Sequence, residues 1–96
     1  MAAQQPINPT YGSGQALTSG ASADVTVPPT KQLVLTNFGA YVFYVRCGAT
    51  AQTATAADFP VPPGSQVSIT KDADHLHMAH YAPTATTGHV IGGEGF

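Results

Sequence analysis

The fold of this chain is decided by residues 33–48, LVLTNFGAYVFYVRCG. Two apolar runs, residues 33–36 and 41–47, flank the break Asn37-Phe38-Gly39-Ala40. β-Branched and aromatic side chains on both sides of an Asn/Gly turn are typical of a β-hairpin. Gly39 can adopt the turn geometry because it has no Cβ to clash. The stretch therefore predicts an all-β domain in which this hairpin supplies most of the core.

Strand signals continue on both sides of this stretch. Apolar and polar residues alternate in residues 23–27 and 66–70, which indicates half-buried strands. Pro63-Gly64 has the chemistry of a type II turn. Six strands are predicted, at residues 23–27, 32–37, 41–47, 66–70, 75–82 and 85–91. The Ala/Thr/Gln segment 49–57 is expected to form a surface loop. Gly88 is expected to interrupt the last strand, and the glycine-rich residues 92–96 to be irregular. Short strands at close spacing predict a small β-sandwich or a jelly-roll-like barrel.

The first 22 residues differ in composition from the rest of the chain. They contain prolines, glycines and polar residues with no sustained periodicity. We therefore predict an extended N-terminal arm, residues 1–22, followed by a β-sandwich domain, residues 23–96. The arm is either a frayed tail or a segment that lies across a neighbouring subunit, with Ile7, Tyr11 and Leu17 as its anchors.

The chain carries very little charge. Charged residues make up 8% of its 96 residues, against about 25% in an average protein. Such a surface suits either permanent subunit contacts or an ordinary neutral exterior. A net charge of −2 offers no field that attracts phosphate backbones, so nucleic acid is not an expected partner. The N-terminus shows no secretory signal and no apolar run is long enough for a transmembrane helix, so no membrane partner is expected.

The residues that could bind a metal form no convincing pattern. Cys47 is the only cysteine, and its position in an apolar strand predicts a buried, inert thiol. His75 and His77 would share one face of a strand, with Asp72 and Asp74 in the preceding turn. His80 has the opposite parity, so a third ligand from this strand is not assured. Solvated or interfacial histidines are the preferred interpretation, and no metal or other cofactor is predicted.

Catalytic patterns are also missing from the sequence. There is no GxSxG nucleophile motif, the carboxylates have no suggestive spacing, and the Gly92–Gly95 run lacks the rest of a phosphate-binding loop. The chain is therefore predicted not to be an enzyme.

Arg46 is expected on an outward face or at an interface, where its guanidinium can bond carbonyl or carboxylate oxygens. The tyrosines are either core residues with their hydroxyls at the rim or an exposed aromatic platform; they are Tyr41, Tyr44 and Tyr81.

Several segments taken in order are similar to small virion proteins of tailed bacteriophages. They are LVLTNFGAYVFYVRCG, an Ala/Thr loop, DFPVPPGSQVSI, HLHMAHYA and the terminal GGEGF. The likeness covers roughly residues 25–96 and rests on the order and spacing of short motifs.

The resemblance implies a capsid decoration, or cement, protein that binds outside the major capsid shell and stabilises contacts between capsomers. It implies a homodimer or homotrimer that is assembled in the host cytoplasm and located on the virion exterior, with the major capsid protein as partner. The contact residues that we predict are Ile7, Tyr11, Leu17, Arg46 and Phe96, together with loop 49–57. The alternative is a tail- or fibre-associated module that presents Tyr44 and Tyr81 to a host glycan.

Overall fold

A computed structural model describes residues 7–9 and 12–95 of the chain. The described part is all-β and consists of two antiparallel sheets packed as a compact globule, which confirms the predicted all-β fold class. Its nine strands are β1 (Ile7–Pro9), β2 (Gln15–Ser19), β3 (Ala23–Thr26), β4 (Gln32–Asn37), β5 (Phe43–Gly48), β6 (Phe59–Val61), β7 (Gln66–Thr70), β8 (His77–Tyr81) and β9 (Thr86–Gly95).

The strands divide between a five-stranded and a four-stranded sheet. The five-stranded sheet has the order β1-β9-β4-β7, and β2 also pairs with β9 on the side of β1. The four-stranded sheet has the order β3-β8-β5-β6. Each sheet contributes large, fully buried side chains to one core, with Leu33 and Leu35 on one side and Phe43 and Met78 on the other. Burial of each such side chain is worth about 1.5–3 kcal/mol, so the contact between the sheets provides most of the stability.

The hairpin predicted for residues 33–48 is wrong, although both of its strands are present. β4 pairs with β7 and β9, whereas β5 pairs with β6 and β8 in the other sheet. Residues 38–42 therefore form an arch that crosses between the sheets. The cause is Asn37, which is 1% exposed and whose side chain binds backbone and side-chain groups from both layers. A local turn signal cannot distinguish a hairpin from an arch, because both reverse the chain.

The glycine-rich C-terminal segment is not irregular, contrary to prediction. β9 runs without interruption through Gly88 to Gly95 and lies at the centre of the five-stranded sheet. A Cβ on Gly88 would lie 2.8 Å from the Phe43 ring and 2.7 Å from the Thr36 carbonyl oxygen, and a Cβ on Gly92 would collide with Pro28. These glycines are therefore required by close packing across the sandwich and do not mark the end of the strand.

Part of the predicted arm belongs to the sandwich. β2 pairs with β9 over its whole length, from Gln15 opposite Val90 to Ser19 opposite Thr86. Leu17 points into the core and is 2% exposed. Residues 7–9 of the predicted arm also pair with β9, as β1, and residues 1–6 and 10–11 lie outside the described residues.

Several local predictions are confirmed. Residues 23–26, 32–37 and 66–70 form strands, and the segment 49–57 forms no strand or helix. The turn at Pro63-Gly64 has Gly64 at φ +69° and is closed by a hydrogen bond of 3.3 Å from the Ser65 N–H to the Pro62 carbonyl. The sequence missed three of the described strands: β1 and β6, which have three residues each and contain proline, and β2, which lies within the predicted arm.

Candidate functional site

The arch between β4 and β5 presents exposed aromatic side chains on a rigid support. Phe38 is 68% exposed and Tyr41 is 52% exposed. The backbone N–H of Phe38 donates to the Thr87 carbonyl at 3.0 Å, so the arch is attached to β9 as well as to its own strands. An exposed phenylalanine that stands on such a fixed backbone costs little conformational entropy when it docks against a partner.

Asn37 holds this arch through four hydrogen bonds. Its Nδ2 donates to the carbonyls of Tyr41 (2.8 Å) and Val61 (3.0 Å), and its Oδ1 accepts from the Gly39 N–H (2.9 Å) and from the Thr86 hydroxyl (3.2 Å). Every hydrogen-bonding group of the buried amide thus has a partner. Position 39 of the arch requires glycine, since a Cβ there would collide with Thr86.

The outer face of the four-stranded sheet carries a pair of tyrosines. Tyr44 on β5 lies directly opposite Tyr81 on β8, and their rings stack with centroids 6.5 Å apart at an angle of 26°. Both side chains are half-buried. Such cross-strand aromatic pairs stabilise a sheet by up to about 1 kcal/mol, and their exposed surfaces are suited to stacking on a ring-shaped ligand.

Arg46 lies on the same outer face, where the sequence placed it. Its side chain is 53% exposed, and its Nε is 3.8 Å from Asp58 Oδ1. An ion pair with this exposure contributes about 0–1 kcal/mol, so the guanidinium remains available for a partner.

Loop 49–57 is hydrogen-bonded to the start of β3 and the residue before it. The Gln52 N–H donates to Asp24 Oδ1 at 3.2 Å, and the Ala54 N–H donates to the Ser22 hydroxyl at 2.9 Å. Ala54 is consequently buried, at 3% exposure. The loop is therefore attached to its own sheet at these two residues, while the remaining side chains of the segment stay largely exposed.

A cleft of about 420 Å³ opens between the sheets on the side where β6 and β7 are the edge strands. Its apolar wall includes Val45, Phe59 and Ile69, and its polar end includes Lys71 and His75. Lys71 is buried and its Nζ donates to the carbonyls of residues 28 and 30 at 2.9 Å and 2.6 Å. The ammonium group is thus occupied in holding the loop between β3 and β4.

The histidines are distributed over separate contacts. His77 Nδ1 lies 2.8 Å from Asp24 Oδ2, so His77 is paired across to β3 and does not join His75. Asp72, Asp74 and His75 place ligand atoms within 4.8 Å of one another, but both aspartates are exposed to water. Exposed acidic groups of this kind are common without an ion, so the prediction of solvated or interfacial histidines with no metal stays a prediction.

His80 is the exception, since it is buried at 3% exposure with Nδ1 3.0 Å from the Ser19 hydroxyl. Burial lowers the pKa of His80 below its ordinary value, and the charge of Asp24 opposes this shift only in part. Burial likewise raises the pKa of the half-buried Cys47 thiol, and Lys71 offsets only part of that rise. Both groups therefore favour their neutral forms at neutral pH, which suits a structural role.

The structure brings few of the predicted contact residues together. Leu17 is buried in the core of its own chain, so we remove it from the contact set, and Arg46 is exposed. The backbone of Ile7 pairs with Gly95, and Tyr11 and Phe96 lie outside the described residues. Sequence reasoning missed Phe38 as a surface residue. The available signal was its place between Asn37 and Gly39, where an apolar side chain has no strand to direct it inward.

Comparison with known proteins yields no relative: no protein-family model, no curated protein and no solved structure matches the chain. Within residues 7–9 and 12–95, no helix has the length and apolar character needed to cross a membrane.

Proposed function

We propose that this chain is a bacteriophage capsid decoration protein that binds the outer surface of the major capsid shell and stabilises contacts between capsomers. The observation that carries the proposal is the arch, which presents Phe38 and Tyr41 to solvent on a backbone fixed by Asn37. The sequence resemblance over residues 25–96 supplies the partner, which the geometry by itself does not.

The composition of the surface supports a permanent structural contact. With 8% charged residues, the exterior is covered mainly by small neutral side chains, whose removal from water costs little. Each copy would need only a modest contact with the shell. Contacts repeated over symmetric copies then add through effective concentration, and copies that bridge two capsomers link them together.

The experiment mixes the purified chain with undecorated capsids of the parental phage and measures co-sedimentation and the temperature of capsid disruption. We expect the chain to co-sediment and to raise that temperature. The test variant is Phe38→Ser, and its matched control is Leu76→Ser, since Leu76 is 39% exposed at the opposite end of the sandwich. Absence of co-sedimentation, or equal binding by both variants, would contradict the proposed contact.

The stacked pair of Tyr44 and Tyr81 favours a second candidate, a tail- or fibre-associated module that binds a host glycan. Sugar rings stack on aromatic faces, and Arg46 on the same face could bond hydroxyl or carboxylate groups. This candidate predicts glycan-array binding that is lost in Tyr44→Ala and in Tyr81→Ala and kept in Phe38→Ser. The first candidate predicts the reverse dependence in the capsid assay.

A further inference from the structure

The centre of the outer edge of β7, at Ser68, offers backbone hydrogen-bonding groups. Among the strands that the structure describes, β7 has a neighbour on one side only, where it pairs with β4. The Asn37 N–H donates to the Ser65 carbonyl at 2.9 Å, and the Lys71 N–H donates to the Lys31 carbonyl at 2.8 Å. These two bonds lie at the two ends of the β4–β7 pairing and show which residues of β7 direct their backbone groups toward β4.

The alternation of hydrogen-bonded pairs along β4 and β7 shows which backbone groups of β7 point away from β4. In an antiparallel pair, hydrogen-bonded and non-hydrogen-bonded residue pairs alternate. Because residues 37/65 and 31/71 are hydrogen-bonded pairs, Leu33/Ile69 and Leu35/Val67 are hydrogen-bonded as well. The N–H and C=O groups of Ser68, at the centre of β7, therefore point away from β4. No bond to Ser68 from a second strand is present in the part of the chain that the structure describes.

β7 also lacks the features that normally protect an edge strand. Its sequence, Gln-Val-Ser-Ile-Thr, contains no charge, proline or glycine. In contrast, β6 has three residues including Pro60, and β3 carries Asp24 and is followed by two prolines. β2 is five residues long and uncharged, but His80 contacts its Ser19 from the other sheet. Among the described edge strands, β7 is thus the one that is five residues long, uncharged and not attached in this way to the opposite sheet.

We propose that β7 pairs antiparallel with β7 of a second copy of the chain about a two-fold axis through Ser68. This register overlaps all five residues of both strands and makes Ser68 exchange two backbone hydrogen bonds with Ser68 of the second copy. The five-stranded sheet then continues across the axis into the second copy as a β-augmentation.

The side chains of β7 are complementary to themselves in this register. On the core side, Val67 of each copy faces Ile69 of the other; both are half-buried and pack against the core. On the outer side, the facing residues are uncharged, so no like charges meet. Phe59, which is 46% exposed at the rim of the cleft beside β7, lies on the side from which the second copy approaches.

The inference adds a defined dimer to the proposed function and rests on that function for its biological role. A dimer joined through β7 would give each unit two copies of the Phe38 arch, and hence two attachment points on the shell. The dimer itself is measured on the free chain, whereas shell binding is measured on capsids, so failure of one is distinguishable from failure of the other.

The experiment determines the mass of the free chain by analytical ultracentrifugation over a concentration series, together with two variants at the axis. Ser68→Pro removes the outward N–H without removing a bond to β4, so it should keep the thermal unfolding transition and give a monomer. Ser68→Lys and Ser68→Glu should each weaken the dimer by placing like charges opposite each other, and mixing the two should restore it. The matched control is Thr18→Lys, an exposed position on the outer face of β2, which should stay dimeric.

A crosslink tests the register directly. Hydrogen-bonded antiparallel partners have Cα atoms about 5.5 Å apart, within the range that a disulfide spans. In a Cys47→Ala background, Ser68→Cys should therefore form a covalent dimer under mild oxidation, and Thr18→Cys should not. A monomeric wild-type chain at all concentrations, or a dimer that survives Ser68→Pro, would overturn the proposal. A monomeric chain whose capsid binding is lost in Ser68→Pro would also overturn it and would assign the edge to a strand of the shell protein.

Discussion

The two sides of the sandwich, where the edges of the two sheets meet, are closed in different ways. On the β2/β3 side, hydrogen bonds join the layers at both ends of β2: from the Gln15 side chain to the Thr26 carbonyl, between Ser19 and His80, and from the Ala82 N–H to the Gly20 carbonyl. On the β6/β7 side, the Asn37 side chain joins the layers by its hydrogen bond to the Val61 carbonyl. The cleft on this side is open, with an apolar wall and with the buried Lys71 at its polar end.

This difference separates the stabilising regions from the regions available for contact. On the closed side the layers are hydrogen-bonded to each other at both ends of β2, and a cleft of about 450 Å³ lies at its Gln15 end, beside Thr26 and Leu76. The open side has exposed apolar surface and an unprotected strand edge, which are the features that a protein interface uses. The four predictions below test this contrast in order of decreasing effect on stability.

Asn37→Ala should have the largest effect on stability, because it removes the side chain that links the two sheets on the open side. The substitution leaves the buried Val61 carbonyl and the Gly39 N–H without their partners, and we expect a loss of about 4 kcal/mol in the free energy of unfolding. Urea unfolding followed by circular dichroism measures it. Asn37→Asp should be similarly damaging, since an oxygen would then face the Tyr41 and Val61 carbonyls. A loss below about 1 kcal/mol would show that the arch is not held by Asn37.

Leu17→Ala should destabilise the closed side by about 3 kcal/mol, because Leu17 is 2% exposed and its removal leaves a cavity between the sheets. The control is Ala16→Ser, an exposed neighbour in the same strand, which should change stability little. The measurement is again the free energy of unfolding in urea. If Leu17→Ala were neutral in stability and instead reduced capsid binding, the original assignment of Leu17 to a partner contact would be restored.

Stability should fall as the pH is lowered, because of His80 on the closed side. The unfolded chain takes up a proton on this residue near pH 6.5, whereas burial lowers the pKa of His80 in the native state. The unfolded state therefore binds more protons below that pH, and the free energy of unfolding decreases from there down to the native pKa. Unfolding curves at a series of pH values should show a steeper loss for the wild type than for His80→Gln. Parallel pH profiles would refute this role for His80.

Phe59→Ser should have the smallest effect on the monomer. Phe59 is 46% exposed at the rim of the open cleft, so we expect a loss of about 1 kcal/mol or less. Its neighbour in the same strand, Val61, is fully buried, and Val61→Ala should cost more despite removing fewer atoms. Thermal denaturation of the two variants side by side measures the difference. A larger loss for Phe59→Ser would mean that the cleft is part of the core.

Local chemistry predicted the positions of several strands well. β3 and β7 follow from alternating side chains and β4 from a continuous apolar run, and Pro63-Gly64 forms the predicted turn, because strand period and turn geometry depend on neighbouring residues. The low charge also follows directly from composition. The strand and turn signals by themselves indicated the all-β class.

Which strands pair with one another was decided only by the tertiary structure. Asn37 was predicted as a hairpin residue, and it became the centre of an arch because its partners at residues 61 and 86 are distant in sequence. Gly88 and Gly92 were predicted to break a strand, and they allow β9 to occupy the middle of the sheet because Phe43 and the Thr36 carbonyl leave no room for a Cβ at position 88, and Pro28 leaves none at position 92. The exposure of the Phe38 side chain and the outward direction of the Ser68 backbone groups were also decided by the pairing of distant segments. Each depends on which segment lies alongside, and a sequence read locally does not contain that information.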